Sequence, residues 1–94
     1  ASKTPCLIDF YADWCGPCRM LAPEIEELKK EYGGRLIVVK VNTDLYPDLA
    51  TYFGVRGIPI VFFFADGKEQ WHKTGFERGF LKKKIAEYMG TSHQ

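Results

Sequence analysis

The chain has 94 residues, of which 46% are apolar and 27% charged, so we expect a single domain over residues 1–94 with one core. Its formal charge is +1 without a basic stripe among aromatic residues, which argues against a nucleic-acid partner. No apolar run reaches the length of a membrane span, and three cysteines are too few for a disulfide framework.

Hydrophobic periodicity and turn residues divide the chain into strands and helices. The predicted elements, in chain order, are a strand at 6–11, a helix at 18–32, a strand at 36–41, a short helix at 47–53, strands at 60–64 and 69–74, and a helix at 78–89. The first strand is apolar on both faces except for one carboxylate, Asp9. The pair Gly33-Gly34 should end the first helix.

The order of these elements predicts the topology. A strand, a helix and a strand in succession give a right-handed parallel crossover. Asp66-Gly67 between the last two strands favours an antiparallel hairpin. We therefore expect an α/β fold with a central mixed four-stranded sheet flanked by helices on both faces.

The most informative motif is Cys15-Gly16-Pro17-Cys18, which falls where the strand pattern gives way to the helical one. Cys15 would lie at a helix N-terminus, where unpaired N–H groups and the helix dipole favour the thiolate. A free cysteine with a pKa of about 8.5 is only about 3% thiolate at pH 7, and lowering that pKa by about 1.5 units makes it about half ionised. Cys18, one helical turn further on, could attack a mixed disulfide formed by Cys15. The motif thus predicts thiol–disulfide exchange.

Two other interpretations of the motif remain. A pair of cysteines at this spacing can be half of a zinc site, but the remaining candidate ligands, Cys6, His72 and His93, form no second pair. A purely structural disulfide is also possible, although so small a ring constrains the unfolded chain little. We favour the redox interpretation.

The residues around the motif resemble those of the thioredoxin family. The resemblance covers about residues 5–89 and rests on the run 9–18, Pro23, Lys40, Asp44, Gly57-Ile58-Pro59 and Gly75, in the family's order. It implies a thioredoxin-like fold. The first strand of a full thioredoxin would be preceded by another strand and helix, whereas only four residues precede Pro5 here.

The resemblance implies a catalytic role for four residues. Cys15 would be the attacking cysteine and Cys18 the resolving one. Asp9 would be the buried carboxylate beneath them that accepts a proton from Cys18, with Lys40 as its charged neighbour. Burial in an apolar strand should raise the pKa of Asp9, as it often does at functional sites. Alternatively, Asp9 caps a nearby backbone group.

The resemblance also implies a shallow apolar groove that binds an extended substrate segment. Pro59 would follow a cis peptide bond and face the disulfide, and the backbone of Ile58 would pair with the substrate. The residues assigned to this groove are Trp14, Gly16, Pro17, Gly57, Ile58, Pro59 and Gly75. Trp14 could instead be a half-buried core aromatic residue.

The function implied is the reduction of protein disulfides, because Gly16-Pro17 resembles the dipeptide of the family's reducing members. The expected partners are disulfide-containing proteins and an electron-donating reductase, and no cofactor or metal is expected. Alternatives are a periplasmic reductant dedicated to one substrate and a non-catalytic interaction module. Both the cytoplasm and a bacterial periplasm fit, and we prefer the cytoplasm.

Three features depart from the family pattern. The strand at 36–41 would have an apolar edge without a neighbour, so we hypothesise either a domain cut from a longer protein or a short thioredoxin whose edge pairs with another chain. Glu77 stands where a serine or aspartate would cap the last helix. Cys6 is an extra cysteine, interpreted as a small buried apolar residue or, alternatively, as the partner in a regulatory disulfide.

Overall fold

The computed structural model describes residues 3–90. Its elements are β1 (Cys6–Tyr11), α1 (Gly16–Tyr32), a 3₁₀ turn (Gly33–Arg35), β2 (Ile37–Asn42), α2 (Pro47–Tyr52), β3 (Ile60–Ala65), β4 (Lys68–Thr74) and α3 (Phe80–Met89). All the predicted strands and helices are confirmed, with ends that differ by at most two residues. Within residues 3–90, none of the helices combines the length and apolar character that a membrane crossing requires.

The four strands form one mixed sheet in the order β2-β1-β3-β4. β1 runs parallel to β2, with Cys6 opposite Ile37, and β3 is antiparallel to both β1 and β4. The hairpin between β3 and β4 turns at Asp66 and Gly67, whose φ angles are 56° and 79°. Two consecutive positive φ angles match the right-handed twist of the flanking strands. The predicted α/β topology is therefore confirmed.

Helices α1 and α3 cover one face of the sheet. The apolar stripe of α1 is buried there, namely Leu21, Ile25, Leu28 and Tyr32. In α3 only Leu81 and Ile85 are fully buried. Phe80, Tyr88 and Met89 are half-buried because they pack at the margin of this cluster.

The other face carries a second, aromatic cluster. The ring of Phe53, just after α2, lies 5.2 Å from that of Phe10 and 5.3 Å from that of Phe62. Ala50 of α2, Val41 of β2 and Ile60 of β3 are also buried in this cluster. In the described chain this cluster includes no residue of α1 or α3, so helices do cover both faces, but the second face has only the six-residue α2.

The parallel strands β1 and β2 end at the same edge of the sheet, which brings their following loops together. The loop after β1 leads through the buried Ala12 to α1. At the end of β2, the side-chain oxygen of the buried Asn42 accepts hydrogen bonds from the backbone N–H groups of Asp44 and Leu45, at 2.9 and 3.3 Å. This edge carries the motif residues.

Candidate active site

Cys15 and Cys18 form a disulfide at the N-terminus of α1, with their Cα atoms 5.2 Å apart. Cys15 is the N-cap residue, and its Sγ accepts a hydrogen bond of 3.2 Å from the backbone N–H of Cys18. Its sulfur thus takes the place that a serine or aspartate oxygen usually has. Pro17 lies in the first turn, where its missing N–H leaves no helical hydrogen bond unmade. The structure brings the two predicted cysteines together as the motif requires.

A loop that ends in a cis peptide bond faces the disulfide. The Ile58–Pro59 bond is cis, as the resemblance implies. The carbonyl oxygen of Ile58 lies 3.8 Å from the Sγ atom of Cys15. Gly75, whose φ of 84° suits glycine, donates its backbone N–H to the carbonyl of Pro59 at 2.8 Å. Within residues 3–90, Ile58 makes no backbone–backbone hydrogen bond outside the strands and helices. Its backbone N–H can therefore pair with another segment.

Trp14 stands beside the disulfide and is 68% exposed, so its interpretation as a half-buried core residue is wrong. Its indole N–H donates to the carboxylate of Asp44 at 2.9 Å, which fixes the ring over the loop after β2. A depression of about 360 Å³ next to it is lined by Trp14, Thr43, Ala50, Val55, Arg56, Gly57 and Ile58. Gly16 and Pro17 lie on the other side of Cys15, at the start of α1, half-buried and exposed respectively.

Asp9 is the buried carboxylate of β1, with 2% of its surface exposed. Its Oδ1 atom has no hydrogen-bond partner, which excludes a backbone cap for that atom. Burial raises the pKa of Asp9 to about 6, and the positive charge of Lys40 opposes this rise. Lys40 lies opposite Asp9 in the parallel register, and its Nζ is 4.8 Å from the centre of the Tyr11 ring.

Asp9 is not sealed off from the disulfide. A cavity of about 360 Å³ behind α1 is lined by Asp9, Tyr11, Ala12, Asp13, Cys18, Arg19, Ala22 and Lys40. Asp9 and Cys18 therefore share one cavity, which is large enough for water molecules that could carry a proton between them.

Glu24 is a buried charged residue whose structural role the sequence did not predict. It is only 8% exposed, and its carboxylate accepts hydrogen bonds from the backbone N–H groups of Gly79 and Lys82, at 3.1 and 3.0 Å. Glu24, a residue of α1, thereby caps the N-terminus of α3. The sequence does contain a sign of this role. Glu24 is charged, yet it lies three residues after Leu21 and four before Leu28, at a position where the helix buries apolar side chains.

Residues 3–90 contain no group of three or more His, Cys, Asp or Glu side chains that could hold a metal ion. His93, one of the candidate zinc ligands, lies outside the described residues. Cys6 is a free thiol and half-buried rather than fully buried, and burial raises its pKa. A raised pKa keeps Cys6 in the unreactive thiol form.

With this geometry established, comparisons with known proteins identify the family. A sequence model described as Thioredoxin matches residues 1–89. The chain belongs to the thioredoxin family. Among relatives, thioredoxin 1 of Chlorobaculum tepidum is 53% identical over 74 residues, which are 79% of this chain and 73% of that protein. The chloroplastic M-type thioredoxin of Pisum sativum is 47% identical over 89 residues, or 94% of this chain and 52% of that protein.

Solved thioredoxins share the fold. A mutant thioredoxin from Halobacterium salinarum superposes with a TM-score of 0.79 at 40% identity, over 92% of this chain and 75% of that one. Fasciola hepatica thioredoxin gives 0.83 at 34% identity, over 92% of this chain and 83% of that one. The thioredoxin-like fold is therefore confirmed. The chain spans about half the length of the pea relative.

Proposed function

We propose that this protein reduces disulfides in other proteins with the dithiol of Cys15 and Cys18. The Cys15 thiolate attacks one sulfur of the substrate disulfide and displaces the other as a thiolate, which gives a mixed disulfide. The Cys18 thiolate then attacks Cys15 Sγ and displaces the second substrate thiolate. Two electrons pass to the substrate, and the product is the Cys15–Cys18 disulfide. That disulfide, at the N-terminus of α1, is the observation that carries the proposal.

The surroundings of Cys15 support its role as the attacking cysteine. The backbone N–H of Cys18 already points at Cys15 Sγ, and the N-terminus of α1 adds the positive end of its dipole. In the reduced protein both would stabilise negative charge on this sulfur. Cys18 lies inside the first turn of α1, is only 5% exposed and is bonded to Cys15, which suits the resolving role.

We assign Asp9 the role of proton acceptor for Cys18 and Lys40 the role of its charged neighbour. With a pKa raised to about 6, Asp9 is mostly ionised at pH 7 yet basic enough to take a proton from a thiol. The cavity that Asp9 shares with Cys18 supports this transfer. The positive charge of Lys40 lowers this pKa and so favours the ionised form of Asp9.

The substrate segment is proposed to lie across the loop that carries Ile58. The backbone of Ile58, whose carbonyl oxygen lies 3.8 Å from Cys15 Sγ, would hydrogen-bond an extended chain beside the target disulfide. Gly75 holds the Pro59 carbonyl and so fixes this loop. The residues proposed to contact the substrate are Trp14, Gly16, Pro17, Gly57, Ile58, Pro59 and Gly75.

Repeated turnover requires an electron donor, which we propose to be a separate reductase that reopens the Cys15–Cys18 disulfide. This direction of transfer suits a reducing compartment, and we prefer the cytoplasm for this chain. We further propose that β2, an edge strand in the described sheet, pairs with another chain.

The activity is tested by insulin reduction with dithiothreitol as the donor. We expect thiol-dependent turnover from the wild type and none above background from Cys15→Ser. Cys6→Ser is the matched control, because it also removes one thiol but leaves the disulfide intact, and it should retain wild-type turnover. A wild type without turnover would favour a non-catalytic interaction module.

The substrates can be identified with Cys18→Ser. In that variant the mixed disulfide on Cys15 cannot be resolved, so substrates remain covalently attached. We expect several different proteins to be captured. Capture of one protein alone would support a reductant dedicated to a single substrate.

A further inference from the structure

Exposed apolar side chains are concentrated beside the disulfide. Trp14 is 68% exposed, and close to it in the fold Leu45, Tyr46, Leu49 and Tyr52 are 71, 59, 40 and 83% exposed. Singly exposed apolar residues are ordinary on protein surfaces, whereas a contiguous group marks an interaction site.

Four of these residues form what we call the α2 patch: Leu45, Tyr46, Leu49 and Tyr52. Together with Pro47 and Asp48 they line a depression of about 460 Å³. The opposite side of α2 faces the sheet through Ala50 and the following Phe53. The α2 patch is therefore not a face that the core of the described chain uses.

The α2 patch continues the surface around the disulfide. Leu45 directly follows Asp44, whose carboxylate holds the indole of Trp14. Ala50 of α2 lines the depression next to Trp14. A protein segment that crosses Trp14 to reach Cys15 would extend onto the α2 patch.

We propose that the α2 patch binds apolar side chains that flank the target disulfide in the substrate protein. The inference rests on the proposed function and adds a substrate preference to it. Cysteines are among the residues most often buried in proteins, so the chain around a protein disulfide is commonly apolar. When such a segment becomes accessible, its apolar neighbours arrive together with the disulfide.

The charge of the α2 patch favours this occupant over a second copy of the chain. Asp48 is exposed within the patch, so an isologous contact between two copies over this patch would place two carboxylates in one apolar interface. A substrate segment carries no such constraint, and a basic residue among its apolar ones would pair with Asp48.

The test compares two disulfide peptides that differ only in the residues flanking their cysteines, Leu and Phe in one and Ser and Gly in the other. We expect the wild type to reduce the apolar peptide with a kcat/KM about tenfold higher, equivalent to about 1.4 kcal/mol. In Leu45→Gln/Tyr52→Lys the preference should fall below about twofold, because the variant replaces two of the apolar contacts with polar groups. Tyr52→Lys alone, at the most exposed position of the patch, serves if the double variant does not fold.

The matched control is Ile37→Thr. It also replaces an exposed apolar side chain, but lies opposite Cys6 at the far end of β1 from the disulfide, and should keep the tenfold preference. Reduction of the small disulfide 5,5′-dithiobis(2-nitrobenzoate) reports on the dithiol itself and should be equal in all these proteins.

The outcomes separate this proposal from the proposed function. A wild type that reduces neither peptide nor the small disulfide contradicts the function itself. Equal rates on the two peptides, or a preference that survives in Leu45→Gln/Tyr52→Lys, overturns the patch proposal while leaving the function in place. A wild-type dimer that this variant abolishes, with the peptide preference unchanged, would assign the patch to a second copy and also overturn the proposal.

Discussion

The burial of Asp9 in the core has an unfavourable free energy. A buried carboxylate with an unpartnered oxygen loses its hydration without full compensation, and the rise of its pKa to about 6 is the direct result. An apolar residue would pack in β1 without this cost. The proposed proton transfer from Cys18 gives a reason for the carboxylate, and two predictions follow from it.

We expect Asp9→Asn to slow turnover without weakening substrate binding, because the amide cannot accept the proton of Cys18. At pH 7, kcat for peptide reduction should fall at least about tenfold while KM changes less than about twofold. Asp13→Asn is the control, since Asp13 is an exposed carboxylate that lines the same cavity. An unchanged kcat in Asp9→Asn would rule out the proton-acceptor role.

The raised pKa of Asp9 also predicts how stability depends on pH. The folded protein holds the Asp9 proton up to about pH 6, whereas the unfolded chain releases it near 3.8, so folding takes up a proton between these values. The contribution of Asp9 to stability is therefore full below about pH 4 and is lost as the pH rises through 6, by about 3 kcal/mol for a shift of roughly two pKa units. We expect Asp9→Asn, measured as the oxidised protein by urea unfolding, to be more stable than the wild type by that amount at pH 8 and by little at pH 4. A stability difference that is the same at both pH values would contradict this assignment.

At the scale of single elements, the beginning of α3 shows what the sequence could not reveal. The predicted start of this helix, at residue 78, is two residues early, and Glu77 is not its N-cap residue. Gly79, with a φ of 81°, is the N-cap residue, and α3 begins at Phe80. The capping group belongs to Glu24, 55 residues away from Gly79. The cap of α1 could be predicted, because Cys15 directly precedes that helix in the sequence. The cap of α3 could not, because Glu24 belongs to another helix and reaches α3 only through tertiary packing.

The cap on α3 predicts a large stability difference between two glutamates of α1. Glu24→Ala leaves two backbone N–H groups without their charged acceptor and should lower the free energy of unfolding by about 2–4 kcal/mol. Glu24→Gln retains one acceptor oxygen and should lose less. The control is Glu27→Ala, because the exposed Glu27 bonds the Lys82 side chain at 2.9 Å, and such a surface pair contributes about 0–1 kcal/mol. Urea unfolding at pH 7 measures all three, and equal losses for Glu24→Ala and Glu27→Ala would show that the buried cap does not stabilise α3.

At the scale of the whole molecule, the strand order could be predicted because crossover handedness and hairpin turns leave few alternatives. The positions of the exposed apolar residues could not be predicted in this way. Leu45, Leu49 and Tyr52 have the spacing of a core-facing helix stripe, yet α2 turns Ala50 and Phe53 to the sheet instead. Periodicity shows that a helix has an apolar face but does not show which partner covers it.

The two edge strands of the described sheet differ in how they are protected. β4 carries mainly polar and charged side chains, in the sequence Lys-Glu-Gln-Trp-His-Lys-Thr, which discourages pairing with another strand. β2 exposes Ile37 and Val39, at 44 and 39%. Ile37 and Thr43 donate their backbone N–H groups toward β1, so in a parallel ladder the alternate residues Val38 and Lys40 direct theirs outward.

This apolar edge predicts that the chain associates through β2. If another copy pairs there, hydrogen exchange at the Val38 and Lys40 amides should slow as the protein concentration rises from micromolar to millimolar, and sedimentation velocity should show a dimer. Val39→Lys places a charge on the exposed part of the edge and should abolish both effects, because a strand that pairs with this edge would have to desolvate the charge. Met20→Lys adds the same charge at a 54% exposed position of α1 and should leave the association intact. Free exchange of both amides in a monomer at millimolar concentration would show that β2 remains unpaired, because its outward N–H groups would then be bonded only to water.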